Sequence, residues 1–501
     1  MISGGSHRRK RKGRFGCPLN LIVLTIVCCG LACGPATAAA DSEKEAQVAR
    51  GPLRVLHSNP RYFTDGTGKA IYMTGSHIWN NFQDWSDQAS LDYEGFLDFL
   101  QSHNHNFIRM WTWEHGSVPQ PQGSWPDDPL PYQRIGPGNH LSGRPKFDLT
   151  KLNQAYFDRL RLRVKSAQDR NMYVSVMLYQ GWSVEGKGEQ MNPWPGHPFN
   201  INNNVNDIDG DVDGDGEGTE VHTLQVPAIT ALQEAYVKKT IDTLNDLDNV
   251  LYEISNESHA NSVNWQYHMI AFIKSYEAGK PKQHPVGMTA EYPGADNSEL
   301  TNSSADWISP HGSQGQSAHG ENYDYMSSPP VADGKKVIIS DTDHLWGLGG
   351  NPDWVWKSFL RGLNPIFMDL DPHQRERLVD RVDRVSLPNW ESIRRAMGYT
   401  LTFAKRMDLA AMVPHTEIAS SGYCLANEGE EYLVYLPADD DGSVEKTVSV
   451  DLLSASAALA VEWFNPRTAE TILAGTTRGG TIKEFTAPFP GDAVLYVRVH
   501  K

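Results

Sequence analysis

Apolar positions along this chain fall into short runs separated by stretches of a different period. Eight runs read as strands: 71–75, 107–113, 173–179, 250–255, 285–289, 307–310, 337–340 and 365–368. Between them apolar residues return every three or four positions. Leu152, Tyr156, Leu160, Val164 and Ala167 are one such series, the mark of a helix with a single buried face. Segments 228–247, 264–278 and 390–406 share that period. Strands alternating with helices predict parallel βαβ units, and eight of them predict a closed (β/α)8 barrel, an α/β fold. Such barrels carry their sites where the strands end, so the long loops 114–146 and 180–225 are expected on that face.

Two further segments flank the barrel. Residues 61–73 predict a hairpin turning at Asp65-Gly66. Past Met412-Val413-Pro414, short strands at 432–436, 446–452, 461–464, 482–486 and 494–499 alternate with Gly, Pro, Asn and Asp, predicting a small antiparallel β-sandwich. The expected organisation is a leader over 1–40, a barrel over 41–413 and a sandwich over 414–501.

The leader reading rests on Arg8 to Lys12 and Arg14, followed by an apolar stretch from Leu19 to Ala32 and the small residues Ala38-Ala39-Ala40. This is the pattern of a secretory signal peptide, so the mature protein is expected outside the cell or in a periplasm. Leu31-Ala32-Cys33 loosely matches a lipidation site, which keeps a lipid anchor open as the lesser alternative. Loss of six leader cations takes the formal net charge from −16 to −22. That surface repels nucleic acid and anionic lipid. Only Cys424 lies beyond the leader, so no intramolecular disulfide is expected.

The most informative residue is Glu257. It closes Val250-Leu251-Tyr252-Glu253-Ile254-Ser255-Asn256-Glu257, an apolar run ending on an amide and a carboxylate. Glycosidic bonds are hydrolysed between two carboxyl groups, one protonated and one ionised. The second candidate lies at the end of the seventh run, Val337-Ile338-Ile339-Ser340-Asp341-Thr342-Asp343. Asp341 and Asp343 are two residues apart, so both can face the axis of a continuing strand. Asp341, nearer the apolar run, is the favoured partner.

These residues resemble clan A of the glycoside hydrolases, and more closely its apiosidase-like branch. Asn106-Phe107-Ile108-Arg109 resembles the second-strand motif whose Arg supports the nucleophile. Asn256-Glu257 resembles the fourth-strand acid/base motif, and Trp307-Ile308-Ser309-Pro310-His311 the sixth-strand motif whose His or Tyr lines a sugar subsite. Residues 394–399 through Pro414, and Trp463-Phe464-Asn465-Pro466-Arg467-Thr468, resemble the branch's last barrel helix and its appended collagen-binding-like sandwich. The resemblance implies Glu257 as acid/base, with Arg109, Asn256 and His311 orienting the carboxylates and the sugar. In one respect the chain departs from the clan: an Asp stands where the nucleophile is usually Glu. That leaves open retention, inversion, or a barrel that only binds glycan.

Trp79, Trp111, Trp113, Trp182 and Trp346 fall at or after predicted strand ends, where flat rings can stack on sugars. His77 and Tyr179 are expected as hydrogen-bonding contacts. Asp209, Asp211, Asp213, Asp215, Glu217 and Glu220 occupy positions 1, 3, 5, 7, 9 and 12 of an EF-hand-like loop with Gly214 at position 6, which predicts a structural Ca2+. The chain therefore reads as a secreted glycosidase acting on a plant or microbial polysaccharide. The rivals are an inactive glycan-binding barrel and a matrix-binding protein working through the sandwich.

Overall fold

The computed structural model describes residues 51–500 apart from 86–89, 118–125, 188–191, 294–296, 313–324, 326, 346, 371–389, 439–441 and 443. The predicted leader and Trp346 lie outside the described residues. No helix among the described residues is long and apolar enough to cross a membrane.

Eight strands close a parallel barrel in chain order: β1 (Gly75–His77), β2 (Phe107–Met110), β3 (Tyr173–Gln180), β4 (Val250–Asn256), β5 (Val286–Thr289), β6 (Trp307–Ser309), β7 (Val337–Asp341) and β8 (Asn364–Met368). Helices follow β1 to β5: α1 (Tyr93–Ser102), α2 (Gln154–Gln168), α3 (Pro227–Leu244), α4 (Val263–Glu277) and α5 (Asn297–Asn302). After β7 and β8 come α6 (Pro352–Leu360) and α7 (Trp390–Arg406). The predicted period holds in α2, where Tyr156, Leu160, Val164 and Ala167 are buried against the barrel.

The first strand lies later than its apolar run predicts. Ile71 forms an antiparallel bridge with Phe63, in keeping with the expected hairpin. Ile71 and Met73 then pack with Leu53, Phe107, Leu251, Trp307 and Val337, residues at or near the beginnings of strands. The run therefore plugs the lower mouth of the barrel, and the strand proper starts at Gly75. The predicted loop 114–146 also contains structure, an antiparallel pair of Tyr132–Asn139 with Pro145–Leu152.

The C-terminal region contains β9 (Val413–Pro414), β10 (Cys424–Asn427), β11 (Glu431–Leu436), β12 (Glu445–Asp451), β13 (Ala458–Phe464), β14 (Thr471–Arg478), β15 (Ile482–Pro490) and β16 (Ala493–Val499). Six of these form one sheet ordered β9-β10-β11-β16-β13-β14, and β12 pairs with β15. Strand alternation sends Val434 and Trp463 into the core shared with Val448 and Phe485 of that second pair. The opposite face carries Leu433, Tyr435, Phe464 and Tyr496, which join the barrel's own core. There Tyr435 stacks on Trp356 of α6 at 6.0 Å, and Phe464 meets Phe403 of α7 at 5.4 Å. The apolar core thus runs across the boundary expected at residue 413.

Candidate active site

Arg109 organises the upper mouth of the barrel. It projects from β2 with 2 % exposure, and all five of its donors are used. Nε and Nη2 donate to the two oxygens of Glu253 at 2.8 and 2.5 Å, and Nη2 also donates to Asn256 Oδ1 at 2.6 Å. Nη1 donates to Asp341 Oδ2 and Asp343 Oδ2, each at 3.0 Å. Glu253 and Asn256 are three residues apart on β4, yet both reach Arg109. Strict alternation would turn one of them outward, so the pleat slips between them. On β3 their partners are Met177 and Gln180, and Gln180 Oε1 accepts from Asn256 Nδ2 at 3.0 Å.

The two aspartates sit differently on this guanidinium. Asp341 is 1 % exposed and has no idle oxygen. His77 Nε2 donates to Oδ1 at 3.0 Å, the Asp343 N–H donates to the same atom at 3.0 Å, and Arg109 holds Oδ2. Burial alone would raise its pKa, but His77 and Arg109 outweigh burial and hold the carboxyl well below the usual range. Asp343 binds Arg109 through Oδ2 only. Burial, aided by the charge of Asp341, raises it to about 6. His344 ties the rim together, with Nδ1 on Ser309 Oγ at 2.8 Å and Nε2 on Asn256 Oδ1 at 3.1 Å. Burial and the nearby Arg109 charge keep its imidazole neutral.

Glu257 stands across the mouth, one residue beyond β4, with φ of 44°. That left-handed backbone costs a side-chain-bearing residue about 1–3 kcal/mol and has to be imposed by its surroundings. Two neighbours impose it. A Cβ on Gly181 would lie 2.2 Å from the Glu257 carbonyl oxygen, so only glycine lets the β3 loop pass there. The buried Lys187 ammonium donates to the Glu257 and Tyr292 carbonyls, each at 2.5 Å. The Glu257 carboxyl accepts from Trp182 Nε1 at 2.5 Å through Oε2. Burial first, then the charge of Asp343, raises its pKa to about 8 against the weaker pull of Trp182, Lys187 and Arg109.

A protonated carboxyl therefore faces an aspartate that is ionised near neutrality, in a mouth lined by Trp182, Tyr292 and His311. The Trp182 and Tyr292 rings stack at 5.8 Å, and Tyr292 and His311 at 6.5 Å. Solved structures share this architecture. A glycoside hydrolase matches with a TM-score of 0.56 and 13 % identity over 90 % of this chain and 97 % of its own. A family 5 glycoside hydrolase from Bacteroides vulgatus also matches with a TM-score of 0.56 and 13 % identity, over 90 % of this chain and 94 % of its own. The shared fold is a closed (β/α)8 barrel, a TIM barrel, with an antiparallel β region after it. In sequence, a family model described as a domain of unknown function (DUF6298) matches residues 123–298. No curated protein matches the sequence significantly.

Several expected contacts are placed elsewhere. Tyr179 is a correction: it faces the helices, donates to the Gln233 carbonyl at 3.1 Å and packs on Trp265. The pleat slip beside Gln180 explains why. Trp111 is corrected likewise, since it is 2 % exposed and lies between His77, at 5.5 Å, and the Arg109 guanidinium, at 5.0 Å. Arg109 spends its donors on three carboxylates and the Asn256 amide, and His77 Nε2 is spent on Asp341, which leaves only His77 Nδ1 without a partner. Trp113 is buried and donates to the Trp79 carbonyl at 3.0 Å. Trp79 and Trp182 remain half-buried at the rim.

Glu253, His344, Lys187 and Tyr292 were not anticipated. Glu253 had a visible signal, because a carboxylate inside an apolar barrel strand requires a buried cation. Of the expected metal ligands, Asp211, Asp213 and Glu220 come together, whereas Asp209 and Asp215 cap the N–H groups of Asp211 and Glu217.

Proposed function

We propose that the chain is an exported glycoside hydrolase that cleaves O-glycosidic bonds of a plant or microbial polysaccharide. Glu257 is the proton donor and Asp343 the ionised partner. The observation that carries this reading is two buried carboxyls set at one aromatic-lined mouth, Glu257 on a single indole N–H and Asp343 on a single guanidinium N–H, with burial raising both, to about 8 and about 6. Between those values Glu257 holds a proton for the leaving oxygen while Asp343 carries a negative charge for the anomeric carbon or for an attacking water.

Asp341 serves as a positioning residue. Its oxygens are committed to His77, Arg109 and the Asp343 N–H, so it fixes where Asp343 points. Arg109 restrains that aspartate, and Asn256 braces Arg109 against His344 and Gln180. Trp182 and Tyr292 offer the flat surface on which a ring can stack.

The test is sugar release from a polysaccharide panel by wild type, Glu257→Gln, Asp343→Asn and Asp341→Asn. Loss in the first two with partial activity in the third supports the assignment. If Glu257→Gln retains full turnover, the assignment is wrong. The aspartate at the seventh strand favours a second reading, a barrel that binds glycan without cutting it. Binding of a panel glycan with no release by wild type would establish that reading instead.

A further inference from the structure

We propose that the Asp209–Glu220 loop binds a calcium ion, and that the bound ion fixes the segment carrying Glu257. One carboxylate oxygen from each of Asp211, Asp213 and Glu220 lies within 4.8 Å of the others. Acidic side chains gather on many surfaces, but Glu220 is not on the surface. It is 4 % exposed; Oε1 accepts from the Asp213 N–H at 3.1 Å, and Oε2 has no hydrogen-bond partner. A buried carboxylate oxygen without a partner, beside two further carboxylates, is costly unless a cation satisfies it.

The loop backbone suits that cation. Gly214 takes φ of 79°, the left-handed turn that position 6 of a calcium loop requires. The Gly214 and Gly216 N–H groups each donate to Asp211 at 3.0 Å, which curls the chain around its own carboxylates. Calcium takes six to eight hard oxygens, so carbonyls and waters would complete the shell.

The short turn that carries Glu220 packs against the acid/base segment. The turn Thr219–His222 is bonded to it twice. His259 Nε2 donates to the Thr219 carbonyl at 2.8 Å, and His222 Nδ1 shares a hydrogen bond with Ser258 Oγ at 3.2 Å. The other ring nitrogen, His222 Nε2, donates to Glu114 at 2.8 Å, and the same Glu114 oxygen accepts the Gln180 N–H at 2.7 Å. An ion that pins Glu220 therefore pins Ser258 and His259, the two residues that follow Glu257. The inference stands whether or not Glu257 proves to be the proton donor.

The experiment uses the full chain stripped with chelator. Calcium is titrated by calorimetry, and hydrogen exchange of residues 255–262 is followed by mass spectrometry with and without the ion. The expected result is one calcium per chain, binding lost in Asp211→Asn and in Glu220→Gln, and slower exchange over 255–262 when calcium is present. His259→Ala should keep calcium binding but lose part of that protection. Two Asp or Glu variants guard against a single misfolded protein. Absence of binding up to about 10 mM calcium, beyond the weak end of such loops, would overturn the site. Binding with protection confined to 209–222 would overturn the coupling.

Discussion

Two carboxyl groups at the same end of the barrel, Asp341 and Glu257, are almost equally buried and are driven in opposite directions. Asp341 is held ionised, and Glu257 is held protonated near neutrality. Burial works against the charged form of both. The difference lies in what each oxygen meets. Asp341 receives an imidazole N–H, a guanidinium N–H and a backbone N–H, which together repay desolvation. Glu257 receives one indole N–H and faces a neighbouring aspartate. Partners set the protonation state of a buried acid more than depth does, and one cluster of residues can thereby hold an acid and a base side by side.

The largest expected effect is on turnover. Glu257→Gln and Asp343→Asn should each lower kcat by about 10²–10⁴-fold, the usual contribution of a positioned acid or base. Asp341→Asn should cost no more than about 10²-fold, the scale of a displaced reacting group. Steady-state kinetics on one polysaccharide checks all three. Equal losses at positions 341 and 343 would break the distinction between them.

Arg109→Met should be next. It strips the cation from Glu253 and Asp341, and removing one partner of a buried ion pair costs roughly 3–5 kcal/mol. Chemical denaturation reads that loss directly.

Stability against pH sharpens the comparison, because the two acids contribute with opposite sign. Glu257 has a folded pKa near 8, above its ordinary 4.5. Below pH 4.5 it holds its proton in both states and carries no penalty. As pH rises through that window the unfolded chain gives up the proton and the folded chain keeps it, so folding weakens. Glu257→Gln lacks this loss and should gain stability relative to wild type from about pH 5 to 8. Asp341 has a depressed folded pKa, so its contribution is present above 3.8 and is lost as pH falls through the folded value. Asp341→Asn should therefore be the less stable protein at neutral pH and converge with wild type in acid. Melting curves from pH 2 to 9 cover both windows.

The smallest effect is steric. Gly181→Ala places a methyl 2.2 Å from the Glu257 carbonyl oxygen, and overpacking of that kind costs about 1–3 kcal/mol. It should lower kcat with a fold that remains intact by circular dichroism.

The barrel was legible because its strands are buried on both faces and read as continuous apolar runs. Seven of the eight lie close to where those runs fall, and the first is displaced because 71–73 serves as a floor. The C-terminal strand Thr471–Arg478 is mostly exposed and shows no apolar run to find. At the site, Glu257 could be proposed from its place at a strand end, and Arg109 and Asn256 from the resemblance of their strand ends to clan A motifs. Choosing between Asp341 and Asp343 could not be done that way. The choice depends on which oxygens His77 and Arg109 occupy, and those side chains lie far from the aspartates in sequence. Tyr179 was misplaced for a similar reason, since a single slip of the pleat reverses a face and leaves no mark in the sequence.

The account turns on Glu257 holding a proton while Asp343 has lost one. The pH dependence of kcat/KM from pH 4 to 10, on the first polysaccharide that releases sugar, tests this most directly. A bell with limbs near 6 and near 8 is predicted, with the upper limb missing from the residual activity of Glu257→Gln. An upper limb that survives in that variant would contradict the assignment.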